Sequence, residues 1–161
     1  MAKSVYYSFH YDHDVWRVQT VWKIGAVEAQ PLLSGQDWEK VKARGDAAIE
    51  RWIDEQMAYK RAVVVLVGAE TASRRWVLYE IAKAWNEKKP LVGIRIHRLK
   101  DAAGNTDYAG ADPFAAVPLK GGGTIADYVT LHDPAGATSQ DIFASIRDNI
   151  ESWVDGAFRR S

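Results

Sequence analysis

Ala62-Val63-Val64-Val65-Leu66-Val67, closed by Gly68, is six apolar residues with no polar interruption. A strand with one face in water alternates polar and apolar side chains. An unbroken apolar run of this length suits a strand covered on both faces, as in a parallel sheet flanked by helices. Pro90–Ile96 reads as another buried strand. Between the two, Trp76–Glu87 is long enough for a crossover helix and carries Val77, Ile81, Ala84 and Trp85 at helical spacing.

Towards the N-terminus the alternation continues. Ser4–Phe9 is short, aromatic and β-branched, a strand signal. Asp12–Lys23 places Val15, Trp16, Val18, Val21 and Trp22 on one helical face, with Asp12 or Asp14 able to cap its start. Val27–Ala29 reads as a brief strand that stops before Pro31, and Gln30–Arg44 as a loop with some irregular structure. Asp46–Tyr59 is a second helix, striped by Ile49, Trp52, Ile53 and Met57. Towards the C-terminus, Leu99–Gly123 is rich in Gly, Asp and Pro and reads mostly as loop. Tyr128–Leu131 is a last strand, and Ser139–Ala157 a final helix striped by Ile142, Phe143, Ile146, Ile150 and Trp153. Strand and helix in alternation predict an α/β fold: a flavodoxin-like three-layer sandwich with a five-stranded, mostly parallel sheet, one domain over residues 1–161. In that strand order the ligand crevice lies outside the carboxyl ends of the first and third strands. The segments His10–Asp14 and Ala69–Glu80 are therefore expected to face each other.

Composition narrows the partners. Lys+Arg and Asp+Glu are both 21, a formal net charge of zero, which does not favour nucleic acid or an anionic membrane surface. A neutral protein resists self-association poorly, so an oligomer formed on activation is an expectation. The absence of cysteine excludes disulfides, thiolate metal sites and cysteine nucleophiles. No signal-peptide core follows Met1-Ala2-Lys3-Ser4, and no apolar run reaches membrane-spanning length, so a cytoplasmic location is expected. Seven tryptophans serve packing first, but tryptophan also lines sites for flat rings.

Trp76 and Glu80 sit four apart at the start of a helix and share a face. They lie beside the core stripe, at the rim of the predicted crevice. Spacing alone fits a packed Trp beside a surface Glu; the switch-point position gives the pair a functional reading. His10-Tyr11-Asp12-His13-Asp14 offers two imidazoles and two carboxylates, but a loop entering a helix spreads them, and no metal site is expected. Gly121-Gly122-Gly123 lacks the Lys-Ser/Thr and strand-to-helix setting of a phosphate loop and reads as a flexible turn.

Several blocks together resemble the TIR-like family. Ser8-Phe9-His10-Tyr11-Asp12 with Asp14 and Trp16-Arg17 looks like its opening motif. Residues 63–81, VVVLVGAETASRRWVLYEI, look like its central block: a buried strand, G-x-E-T, a basic pair and W-x-x-x-E. Leu91–His97 is similar to the strand that follows. The likeness runs from about Val5 to Phe114 and is strongest to the stand-alone TIR-like proteins of the Thoeris antiphage defence system. It implies that Glu80 is the catalytic carboxylate of an enzyme splitting the nicotinamide–ribose bond of NAD. It further implies a cyclic ADP-ribose product that signals to a separate effector protein. NAD would enter as substrate, and no cofactor is expected. Phe9, His10, Asp12, Trp38, Trp76 and Asp112 are the candidate substrate-binding residues. Asp112 stands in Gly110-Ala111-Asp112-Pro113-Phe114, which is similar to a family G-x-N-P segment, with Asp in place of Asn. Arg74 and Arg75 read as a solvated pair, the alternative being contact with the pyrophosphate; Arg17 is placed to reach the crevice or a neighbouring subunit.

Other functions of the same architecture fit less well. A receiver domain needs an acidic phosphoacceptor where this chain has Gly68-Ala69 and a lysine where it has Thr130-Leu131-His132. A flavin carrier needs a Ser/Thr/Gly phosphate loop where this chain has His10–Asp14. A TIR-like interaction module without catalysis is the serious alternative.

Overall fold

A computed structural model describes residues 3–161. Its elements follow in order: β1 (Lys3–Ser8), α1 (Tyr11–Trp22), β2 (Val27–Ala29), α2 (Gly35–Ala43), α3 (Asp46–Met57), β3 (Ala62–Val67), α4 (Arg75–Asn86), β4 (Leu91–Arg95), β5 (Leu131–His132) and α5 (Ser139–Asp155). Among the described residues the five strands pair only in parallel, in the order β2-β1-β3-β4-β5. This is the flavodoxin-like order, with the reversal between β1 and β3.

The apolar run of β3 divides its side chains between two cores. Val64 and Leu66 join Val18 and Val21 of α1 and Ile142, Ile146 and Ile150 of α5. Val63, Val65 and Val67 join Ile49, Ile53 and Met57 of α3 and Val77, Ile81 and Ala84 of α4. Every residue of β3 is buried, so a polar side chain anywhere along it would lose its water on one face or the other. β1 divides in the same way, Val5 and Tyr7 towards α1 and α5, Tyr6 towards α3 and α4. α5 starts on a capping box in which the Thr138 hydroxyl accepts from the Asp141 amide and Asp141 accepts from the Thr138 amide. Among the described residues no helix is long and apolar enough to cross a membrane.

Two segments differ from the sequence expectation. Gln30–Arg44 contains a helix, α2, rather than only loop. Only Trp38 and Val41 of its nine residues pack on the core, and none is fully buried, so the segment has too few apolar positions to display a period. The usable signal was at its start, where the Ser34 hydroxyl accepts from the Asp37 amide at 3.1 Å. The last strand is Leu131–His132 rather than Tyr128–Leu131. A capped 3-10 turn at Ile125–Asp127 holds Tyr128, whose ring packs on Trp85 and Phe158, so the chain enters the sheet later.

The loop after β4 is pinned across the end of β3 by Gly110. A Cβ there would lie 2.5 Å from the Gly68 carbonyl oxygen and 2.4 Å from that of Ala69. Backbone cannot yield as a side-chain tip can, so Gly110→Ala must displace the loop. The expected cost is about 1–3 kcal/mol, read as a lower urea midpoint at unchanged slope.

Candidate active site

The carboxyl end of β1, the Gln30–Leu33 segment, one face of α2 and α3, and the start of α4 enclose a cavity of about 240 Å³. Proline at position 31 ends the β1–β2 ladder. The Gln30 side chain continues it: its Oε1 accepts from the Tyr7 amide at 2.9 Å and its Nε2 donates to the Tyr7 carbonyl at 2.8 Å. One amide side chain thus stands in for a strand residue while the chain turns away and leaves a hollow. Tyr11, whose hydroxyl donates to the Leu33 carbonyl, packs at a tilt against Trp38 at 5.4 Å, and Trp38 meets Trp52 edge-on at 6.3 Å. Together they form an aromatic wall.

Glu80 lies at the floor of this cavity, 5% exposed, rather than at its rim. The pleat of β1 explains the position. Tyr6 and Ser8 are two apart, so both side chains rise on the α4 side. The Tyr6 hydroxyl donates to Oε2 of Glu80, and Ser8 Oγ donates to Oε1 at 2.8 Å. Burial pushes the Glu80 carboxyl up to about 8, while the hydrogen bonds from Tyr6 and Ser8 pull the other way. No cation pairs with it within ion-pair distance among the described residues. The site therefore holds a buried carboxyl group whose charge would be costly, since no neighbouring cation offsets it.

Of the candidate residues, Phe9, His10, Asp12, Trp38, Trp76 and Glu80 line this one cavity. Asp112 does not. Its Oδ1 accepts from the Phe114 amide at 2.8 Å and caps the 3-10 turn Pro113–Ala116. The four polar side chains of His10–Asp14 diverge as the start of α1 turns. His10 faces the cavity, 8% exposed, and Asp12 sits at the mouth, 3.7 Å from Lys42. His13 turns to Asp107 at 2.7 Å and Asp14 to Arg17 at 3.1 Å. The His10 imidazole is held below its usual range, first by burial and then by the positive charge of Arg74 and of His13, with Asp12 and Glu70 opposing.

Arg17 does not reach the crevice. It is 2% exposed on the far side of α1, where Nε donates to the Leu99 carbonyl at 2.8 Å and a terminal nitrogen to the Asn105 carbonyl at 3.0 Å. Both members of the basic pair are exposed, as a solvated pair would be, and both also border the cavity. Arg75 is engaged, 2.6 Å from Asp46 and stacked 4.6 Å over the Trp76 ring. Sequence reasoning missed Tyr6, Ser8 and Gln30. For the first two a signal existed, a Tyr and a Ser at strand period in the element that leads into the crevice. Gln30 had none, because its role depends on how β2 ends.

A flavodoxin-like sheet with a glutamate-floored, aromatic-walled cavity at its β1–β3 switch point defines a TIR-like domain. The family model for the TIR-like domain of the Thoeris protein ThsB matches residues 6–101, more than half of the chain. The chain belongs to this family. It is 35% identical over 120 residues to the ThsB1 protein of Bacillus cereus (strain MSX-D12), which carries the provisional name cyclic ADP-D-ribose synthase. That match covers 71% of this chain and 62% of the relative.

Proposed function

We propose that the chain is an NAD-cleaving enzyme that releases nicotinamide and closes the remaining ADP-ribose into a cyclic signalling molecule. The observation that carries this reading is the buried Glu80 carboxyl, presented upward into an aromatic cavity by Tyr6 and Ser8. Hydrolysis of an O-glycoside commonly needs two carboxyl groups, because the leaving oxygen must be protonated. The nicotinamide of NAD is already cationic and departs neutral, taking the bonding pair of the C–N bond with it. No general acid is required. What remains is to stabilise positive charge on the ribose and to hold its hydroxyls, and one desolvated carboxylate does both.

The resting pKa fits this role. A carboxylate that is expensive when the cavity is empty is stabilised when a pyridinium and then an oxocarbenium ion sit above it. Binding energy then grows towards the transition state. Phe9 packs on Tyr11 at 5.8 Å and Tyr11 on Trp38 at 5.4 Å, a run of rings against which a departing flat ring would rest, and Trp76 also lines the cavity. A cavity that excludes water favours attack by another group of the same molecule, giving a ring closure rather than hydrolysis. The name of the ThsB1 relative supports the same outcome. The product would act at a distance, on a separate effector protein in antiphage defence.

Incubation with NAD, resting and under crowding that promotes assembly, followed by chromatography and mass spectrometry, tests the reading. The expected products are nicotinamide, a released proton and a cyclic nucleotide that is one water lighter than ADP-ribose. Intact NAD under both conditions would instead favour the non-catalytic interaction module.

A further inference from the structure

The cavity is smaller than the roughly 300–1,000 Å³ of pockets that enclose a whole drug-sized ligand, so a dinucleotide would place one end inside and its linker at the mouth. On the reading above, the cationic nicotinamide end lies over Glu80, which directs the two linker phosphates outward past the start of α4. Two cationic side chains line the cavity, Arg74 and Arg75. Arg75 is held by Asp46 and Trp76. Arg74 has no carboxylate within ion-pair distance and no side-chain hydrogen bond among the described residues. Arg74 is exposed and keeps water on its guanidinium, but another cavity-lining group is unsatisfied: His10 is 8% exposed, and its Nδ1 is buried without a hydrogen-bond partner. A buried ring nitrogen without a partner is costly, and one beside an open cavity is satisfied when a ligand supplies the missing atom. The first turn of α4 adds to this, with no acidic residue in it and no side-chain cap at Arg74.

We propose that Arg74, with His10 beside it, forms a seat for the pyrophosphate of the substrate, and that this seat makes the site select a dinucleotide over a nicotinamide riboside. The guanidinium offers a planar pair of donors matched to phosphate oxygens, and those bonds are charge-assisted. The positive field of Arg74 already bears on the His10 ring, and an anion lying between the two would relieve it. The inference rests on the proposed chemistry for the orientation of the ligand, but its test does not depend on turnover.

The test is calorimetric titration of Glu80→Gln protein, with and without Arg74→Gln, using ADP-ribose and nicotinamide riboside as probes. Arg74→Gln is expected to weaken ADP-ribose at least about tenfold and nicotinamide riboside less than threefold. Arg74→Lys is expected to recover only part of the loss, because the charge returns without the planar fork. In turnover on otherwise wild-type protein, the preference for NAD over nicotinamide riboside in kcat/KM falls about tenfold. Equal weakening of both probes, no effect on ADP-ribose, or no ADP-ribose binding at all would each overturn the seat. If ADP-ribose binds through Arg74 and NAD is never cleaved, the cleavage reading fails and the seat stands. If cleavage requires Glu80 and ADP-ribose ignores Arg74, the seat alone fails.

Discussion

Glu80→Gln is expected to lower nicotinamide release on the order of a thousandfold while making the folded protein more stable at pH 8. The two effects have one cause. Glutamine keeps the shape and the partners: its Oε1 can accept from the Tyr6 hydroxyl, and its amide can donate to Ser8 Oγ. It cannot carry the charge that a developing oxocarbenium ion needs. The stability effect follows from proton linkage. The carboxyl titrates near its ordinary 4.5 when unfolded and at about 8 when folded. Between those values the folded state binds more protons than the unfolded one, so the stability of the wild-type protein falls as pH rises through the window and levels off above it. The loss is on the order of a few kcal/mol. Glutamine does not titrate, so that part of the slope vanishes. Thermal melts at pH 5 and pH 8 should show the variant gaining several degrees over wild type at pH 8 and much less at pH 5.

The rate profile of the wild-type protein provides an independent reading of the same carboxyl. If Glu80 acts as a carboxylate, kcat/KM rises with pH through a value near 8, the free-enzyme titration. The bound pyridinium favours the ionised form, so the titration seen in kcat lies lower than that in kcat/KM. Coincident profiles, or a kcat/KM that falls across this range, would remove Glu80 from the charged role assigned to it.

How much of this was legible in the residues differs from element to element. The Ala62–Val67 run placed β3 at the centre of a parallel sheet, and the helical stripes of α1, α3, α4 and α5 followed from spacing. The strand-order argument brought the His10–Asp12 turn and the start of α4 together around one hollow, as the cavity lining shows. The depth of Glu80 was not legible, because its neighbours Tyr6 and Ser8 lie more than seventy residues away and act only once β1 and α4 are packed. The direction of a charged side chain at a helix start was equally hidden. Asp12, Asp14 and Arg17 share one short helix, yet one meets the cavity mouth and two are buried on the opposite side. Long-range carbonyls that accept from a guanidinium leave no local mark in sequence. For α2 the obstacle was scarcity: two packed residues in nine do not make a period.

The buried pair on that opposite side yields the largest expected loss of stability. Arg17→Ala leaves Asp14, 1% exposed, without its cation, and leaves the Leu99 and Asn105 carbonyls without donors. Removing one member of a buried ion pair costs about 3–5 kcal/mol, and the fold should become marginal in urea. The loss should depend on pH. Burial already holds the Asp14 carboxyl above its ordinary range, with His13 and Arg17 restraining it. Without Arg17 it rises further, so the folded variant binds an extra proton over a wider window and its deficit against wild type grows as pH increases. Urea midpoints at pH 5 and pH 8 measure this directly. Asp14→Asn combined with Arg17→Met removes both charges and keeps much of the volume. It should recover a substantial part of the loss, since most of the penalty belongs to the abandoned carboxylate. Because Arg17 lies outside the cavity lining, the folded fraction of Arg17→Ala at low temperature should still release nicotinamide within a few-fold of wild type. A selective loss of activity, with stability intact, would mean that the guanidinium serves the chemistry after all.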